Sequence, residues 1–193
     1  TIQVSLDGLD DAARDAVGRL SLFGLTVWEA RLAALAPSGA EHERDLIKRL
    51  VRGDLLVETA TSRFGATREY LFKHALVRDV AYAMVGDDSK KELHAKAARW
   101  LASVGEDAST IAEHFDRGQC FQDAAGFWES AARRALATNS LADAAQMSER
   151  ALAFADDKPT GFARAVLFEE AQARLDARGA ERDTAIMSMR ENV

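Results

Sequence analysis

The stretch YLFKHALVRDVAY, residues 70–82, changes its pattern at a single histidine. Before it, Tyr70 and Phe72 recur with a period of two residues, which is typical of a strand. After it, apolar residues recur every three or four positions, which is typical of a helix; they are Leu76, Val77, Val80, Ala81 and Met84. His74 is therefore predicted to lie at a strand-to-helix junction, where free backbone N–H groups can meet an anion.

This stretch resembles the winged-helix module of bacterial STAND-type signalling NTPases, the Apaf/NLR/MalT-like group. In the ATPase regions attached to bacterial serine/threonine kinases, adenylate cyclases and LuxR-type regulators, the motif often reads F-R/K-H-A-L-x-R-D-x-A-Y. Plant and animal relatives carry M-H-D-L-x-R-D-x-A, whose histidine reaches the β-phosphate of bound ADP and holds the resting state. The resemblance implies that His74 is an ADP phosphate sensor, although Lys73 and Ala75 replace the Met and Asp of the second signature.

The chain itself has no G-x-x-x-x-G-K-S/T phosphate loop and no acidic Walker-B strand. We therefore expect no cofactor in this chain alone, whereas the resemblance implies ATP and ADP for a parent protein. It also implies a parent ATPase that carries a serine/threonine kinase or cyclase domain, so that His74 acts only together with an upstream NTPase domain. The alternative interpretation of His74 is a packed residue with one ring nitrogen bonded to backbone.

The composition indicates an ordinary globular protein with one or two modest cores: 193 residues, 48% hydrophobic and 29% charged. A net charge of −6 disfavours a nucleic-acid partner, which needs a basic stripe. The apolar runs are too short for a membrane partner, no signal peptide is visible, and the single Cys120 fits a reducing cytoplasm. Because the first residue is not methionine, we expect a piece of a longer polypeptide.

Residues 1–88 are predicted to form a winged-helix domain with a small β-hairpin. Three helical patterns come first, and Thr26 and Glu29 have the spacing of a capping box at the start of the second. Two strand-like runs follow, at residues 55–59 and 69–73. Three helices before a hairpin is the winged-helix order.

The third helix carries the basic residues that a DNA-reading family member would place against bases. They are Arg44, Lys48, Arg49 and Arg52. Acidic residues accompany them, and their charges repel phosphate; they are Glu41, Glu43, Asp45 and Asp54. We therefore expect this helix to present a solvated or partner-facing surface rather than a DNA-reading one.

Residues 89–193 are predicted to form a truncated TPR-like α-α superhelix, which makes the whole chain mainly α. Alanine becomes frequent, Ser89 and Glu92 have capping-box spacing, and Gly, Asn or Pro separates the helical patterns. The two helices around Asn139 fit the tetratricopeptide pattern. Its core positions hold one large and three small residues: Trp128, Ala132, Ala144 and Ala151. A weaker second register ends with Ala173, Ala185 and Met189, and a break between helices is predicted at Gly179.

The end of this array is predicted to leave an apolar face, because stacked helical pairs cannot bury both faces alone. The residues expected there are Phe168, Leu175, Ile186 and Met189. We therefore expect a homo-oligomer through the truncated end, or a frayed last helix.

No catalytic constellation is visible, so the chain is predicted not to be an enzyme. Its four histidines show no H-E-x-x-H spacing, and no G-x-S-x-G elbow is present. Three functions remain open. The first is a cytoplasmic regulatory segment that couples the nucleotide state of an upstream NTPase to protein or peptide binding on the helical repeats. The second is a TPR-type interaction adaptor, and the third is a winged-helix DNA-binding regulator.

Overall fold

The computed structural model describes residues 8–30, 35, 40–63, 67–154 and 158–191. Within them the chain is mainly helical with a small three-stranded antiparallel sheet, which confirms the predicted fold class at this level. The chain divides into two compact units, Thr1–Ser103 and Val104–Val193.

The first unit contains both helices and strands. In chain order they are α1 (Asp11–Ser21), β1 (Thr26–Trp28), α2 (Ala40–Arg52), β2 (Leu56–Glu58), β3 (Glu69–Phe72), α3 (Ala75–Met84) and α4 (Asp87–Ser103). The strand order in the sheet is β1-β3-β2, and both pairings are antiparallel. The register places Val27 opposite Tyr70 and Val57 opposite Leu71. β3 is therefore the central strand, and its end leads directly into α3.

One apolar core holds this unit together, because α1, α2 and α3 bury one face each against the sheet. Its members include Val17, Leu20, Ile47, Leu50, Val27, Tyr70, Phe72 and Val77. α1 begins at a side-chain cap, in which the Asp10 carboxylate accepts a hydrogen bond from the Ala13 N–H at 2.9 Å. Such a cap is worth about 1 kcal/mol.

The predicted capping box at Thr26 is wrong, because Thr26–Trp28 forms strand β1. A threonine, a valine and a tryptophan all favour a strand, and the pairing with β3 buries Val27 and Trp28. The indole N–H of Trp28 also donates to the Glu69 carboxylate at 2.8 Å. Tertiary pairing therefore prevails over the local capping pattern, and the helical residues begin only at Glu29.

The predicted boundary after residue 88 also differs from the structure, in which α4 belongs to the first unit and begins at Asp87 rather than Ser89. Its side chains hold it against α3. The Tyr82 hydroxyl lies 3.1 Å from Nε2 of the buried His94, and the Lys90 ammonium lies 5.1 Å from the Tyr82 ring centre. These contacts hold α4 against α3 within the first unit.

The second unit consists of successive helices: α5 (Ala108–Arg117), α6 (Phe121–Ala137), α7 (Leu141–Ala153) and α8 (Lys158–Glu191). The turn before α6 uses Gln119 and the turn before α7 uses Asn139, both with positive φ. Trp128, Ala132, Ala144 and Ala151, the predicted TPR-like core residues, are all buried. Small side chains let α6 and α7 approach closely. The hydroxyl of the buried Ser148 donates a hydrogen bond to the Ala145 carbonyl at 2.9 Å.

The predicted break at Gly179 is wrong, because α8 runs through it as one helix of 34 residues, about 51 Å long. Nothing lies within 4 Å of the position that a Cβ of Gly179 would occupy. The neighbouring alanine and arginine residues favour a helix, and the Arg178 guanidinium anchors this part of α8 by donating to the Asn139 carbonyl at 3.2 Å. The second predicted repeat is therefore not a hairpin.

Replacing Trp128 with alanine is expected to lower the free energy of unfolding by roughly 3 to 5 kcal/mol. The side chain is only 3% exposed, so its loss leaves a cavity between α6 and α7. Phe162→Ala is the matched control, because that ring is 73% exposed and its loss should change stability by less than about 0.5 kcal/mol. Urea denaturation of both variants measures the difference, and equal losses would contradict this packing.

Gly179→Ala is expected to stabilise the chain by up to about 1 kcal/mol and to raise its helical circular dichroism, because alanine favours a helix interior. Gly105 has a φ of +72°, so the control Gly105→Ala should instead destabilise by about 1 kcal/mol. A loss of stability or helicity in Gly179→Ala would show that the chain turns at this position.

Candidate functional site

The structure places His74 at the end of β3, as the N-cap residue of α3. Its backbone is extended (φ −135°, ψ 130°), and its carbonyl accepts hydrogen bonds from the N–H groups of Val77 at 3.1 Å and Arg78 at 3.5 Å. The side chain is exposed and makes no capping hydrogen bond to the helix. The predicted junction is therefore present, and its imidazole faces solvent rather than the core.

The first turn of α3 carries positive electrostatic potential. The N–H groups of Ala75 and Leu76 precede the first intrahelical hydrogen bonds, so the helix leaves them free for another acceptor. The first turn contains no acidic residue. Lys73, just before His74, is held by Asp54 through contacts of 2.5 and 2.6 Å. The helix dipole and the imidazole together therefore favour an anion at this position.

The exposed side of α3 adds an apolar contact area beside His74. Leu76 is 57% exposed, and Ala83, two turns further along, is also exposed. The opposite side is anchored, because Val77 and Ala81 are buried in the core of the first unit. We call His74, Leu76 and Ala83 the junction surface. The core of the first unit fixes the position of this surface, and its exposed side chains can contact a partner.

Most of the basic residues of α2 are in ion pairs. The Arg44 guanidinium bonds the Glu29 carboxylate, Lys48 lies 2.9 Å from Asp45, and Arg49 lies 2.5 Å from Asp10. Arg52 is exposed in the last turn. The hydrogen bond from the Ala13 N–H is the largest cause that lowers the pKa of Asp10, and the contact with Arg49 lowers it further. Three of the four basic side chains of this possible partner or DNA surface therefore have carboxylate partners within the chain.

Sequence analysis missed a buried ion pair between α1 and α2. Nη2 of Arg19 lies 3.0 Å from both carboxylate oxygens of Glu43, and its Nη1 lies 2.5 Å from Asp15. Arg19 is 7% exposed and Glu43 only 1%, so Glu43 cannot face a phosphate as expected. Burial raises the pKa of Glu43, and the Arg19 charge opposes that rise. The sequence feature that could have indicated this pair is Arg19, a charged residue within the apolar face of α1.

A second feature absent from the sequence analysis is a groove of about 280 Å³ between α1 and the α3–α4 turn. Gly18 shapes it, because a Cβ at this position would lie 3.0 Å from Cγ2 of Val85. Acidic and basic side chains line the rim together: Asp11, Arg14, Asp15 and Arg19. The mixture gives this groove no preferred ligand charge.

The second unit contains a smaller polar groove of about 160 Å³ at the meeting point of α5, α6 and α7. Arg134 and Asp107 line it and are joined by an ion pair of 2.6 Å, with Ser109, Thr138 and Asp143 beside them. Trp128 and the three core alanines instead form the interior and do not reach a ligand surface. The Arg150 guanidinium lies 5.1 Å from the centre of the Trp128 ring.

Metal-binding geometry is absent from the part of the chain that the structure describes. No group of three His, Cys, Asp or Glu side chains is arranged to hold a metal ion there. The Cys120 thiol lies 3.7 Å from the Gly118 carbonyl, whereas His114 is buried. Over the same residues, none of the helices combines the length and apolar character needed to cross a membrane.

Comparison with protein-family models, curated proteins and solved structures finds no match to this chain. The functional argument therefore rests on the geometry of its own residues.

The buried and exposed ion pairs of α2 should differ in their contribution to stability. Glu43→Gln is expected to cost roughly 3 kcal/mol, because it leaves the buried Arg19 charge with only the exposed Asp15 carboxylate as an anionic partner. Asp45→Asn, which breaks the exposed pair with Lys48, should cost less than about 1 kcal/mol. Chemical denaturation of the two variants measures both values, and similar small losses would exclude a structural role for the buried pair.

Proposed function

We propose that the chain is a non-catalytic regulatory segment of a bacterial STAND-type signalling ATPase. In this proposal a winged-helix unit senses the nucleotide state of an upstream NTPase domain, and TPR-like helices bind a protein partner. The observation that supports it best is the exposed imidazole of His74 at the uncapped N-terminus of α3, directly after the central strand.

The order of the elements supports the winged-helix part of the proposal. A short strand after the first helix pairs with the last strand of the hairpin, which gives the sheet order β1-β3-β2. α2 precedes the hairpin, as the third helix does in a winged helix. The helical pair α6 and α7, packed through alanines around Asn139, supports the TPR-like part.

The mechanism follows from the electrostatics of the junction surface. An imidazole and two free N–H groups at a helix N-terminus attract a phosphate group of a nucleotide that a neighbouring domain presents. Leu76 and Ala83 add apolar contact with that domain. Because Val77 and Ala81 anchor α3, the nucleotide would hold the whole winged-helix unit in the closed position. Loss of the bound phosphate would release the winged-helix unit from that position.

A TPR-type interaction adaptor is the second candidate, and the polar groove lined by Arg134 and Asp107 favours it. A DNA-binding regulator has less support, because carboxylates of the chain already neutralise Arg44, Lys48 and Arg49. Charges that are paired within the protein release few counterions on DNA.

His74→Ala is expected to weaken ADP retention in the polypeptide that joins this chain to its upstream NTPase domain. Losing a hydrogen bond to a charged phosphate costs about 1.5–3 kcal/mol, which corresponds to roughly a tenfold or greater rise in the Kd for ADP. The matched control is His42→Ala, which removes an exposed histidine from α2. Fluorescent ADP binding measures both variants.

Unchanged ADP affinity in His74→Ala would remove this residue from the mechanism. If peptide binding by the same polypeptide were then also independent of nucleotide, the adaptor function would be the better account.

A further inference from the structure

The inward side of α8 is fixed by contacts within the second unit. Leu167 and Ala171 are buried, and Leu175 packs against the apolar cluster that α8 forms with α6 and α7. The buried Arg164 donates to the Glu129 carboxylate at 3.3 Å and to the Phe154 carbonyl at 3.2 Å. The hydrogen bond from Arg133 is the largest cause that lowers the pKa of Glu129, and the hydrogen bond from Arg164 lowers it further. Glu129 therefore stays charged. The rotation of α8 about its axis is therefore determined.

The opposite side of α8 carries an exposed stripe of apolar and small residues. Phe162 is 73% exposed and Val166 50%, and the exposed Ala173 and Ala177 continue the same helical spacing. The stripe extends for about 22 Å along the helix. Phe168 and Leu175, expected from the sequence to be exposed here, are half-buried on other sides, while the side chains of Ile186 and Met189 lie outside those described. Beyond Phe162 and Val166, the two exposed alanines present only small side chains.

Acidic side chains border this stripe. Glu169, Asp176 and Asp183 follow one edge at helical spacing, and all three are exposed. On the other edge, Glu170 is paired with Arg174 at 2.7 Å, and Glu181 is exposed. A second copy of the chain would bring Glu169 and Asp176 against the same acidic edge, so like-charge repulsion disfavours self-association through this face.

We infer that the outward face of α8 docks a basic amphipathic helix. Its bulky apolar side chains would lie over Ala173 and Ala177, and its lysine or arginine residues would face Glu169 and Asp176. Burial of the apolar stripe provides affinity, and the acidic edge selects the charge and orientation of the partner. The inference rests on the partner-binding part of the proposed function and names its partner class.

The test uses the whole chain and synthetic helical peptides of roughly 18 residues at 0.15 M salt, where distant charges are screened. One peptide carries leucines on one face and lysines along the adjoining edge. The matched control peptide carries glutamates in place of the lysines. Fluorescence anisotropy should show binding of the lysine peptide at least about tenfold tighter than that of the glutamate peptide.

Two variants separate docking on α8 from general attraction to an acidic protein. Glu169→Lys/Asp176→Lys should reverse the preference between the peptides, while Glu113→Lys/Glu149→Lys, with the same charge change on α5 and α7, should leave it in place. Ala177→Trp places a bulky side chain where the peptide would lie, without changing charge, and should weaken binding of the lysine peptide by about tenfold or more.

Equal weakening by the two charge reversals, no effect of Ala177→Trp, or equal binding of the two peptides would overturn the inference. Circular dichroism of each variant verifies its folding. The ADP measurement on His74 is independent of these peptides, so either result can fail alone.

Discussion

The pairing of β3 between β1 and β2 is the constraint on which the proposed site depends. Both neighbours hold β3 in an antiparallel register, and the Phe72 and Lys73 N–H groups donate to the carbonyls of Leu25 and Leu55 at 2.9 and 3.0 Å. These bonds define the point where the strand ends. α3 then has one starting position, because Val77 and Ala81 must enter the same core. His74 therefore stays at the helix N-terminus and remains exposed.

The features that the sequence predicted are those encoded by local periodicity. The change from a period of two to a period near four at His74 located both β3 and α3, and the alanine spacing around Asn139 located the packed pair α6 and α7. Local patterns could not identify β1, because a three-residue strand is stabilised by a partner far away in the sequence. The capping spacing of Thr26 and Glu29 indicated a helix instead.

Two further errors have separate physical causes. Arg19 and Glu43 are 24 residues apart, and only the packing of α1 on α2 brings their charges together in a buried site. Gly179 looked like a helix break, but an isolated glycine costs only about 1 kcal/mol in a helix interior, and the surrounding residues tolerate it. In the candidate site, the position of His74 was predictable, whereas the ion pairs that neutralise α2 depend on the folded arrangement.

Each of the two units holds in place a surface with its own chemistry. The first unit presents an imidazole and helix N–H groups suited to an anion, and the second presents an apolar stripe with acidic edges suited to a basic helix. In the proposed function, each surface acts by binding, and an upstream NTPase domain that presents a nucleotide to α3 would couple the two surfaces.

Hydrogen exchange at the Ala75 and Leu76 amides tests the central claim most directly, in the polypeptide that includes the upstream NTPase domain. These two N–H groups lie outside the intrahelical hydrogen bonds of α3 and should exchange rapidly without nucleotide. The account predicts that ADP slows their exchange markedly, while the first turn of α6 in the second unit is unaffected. Equal exchange with and without ADP would contradict a phosphate contact at this helix terminus.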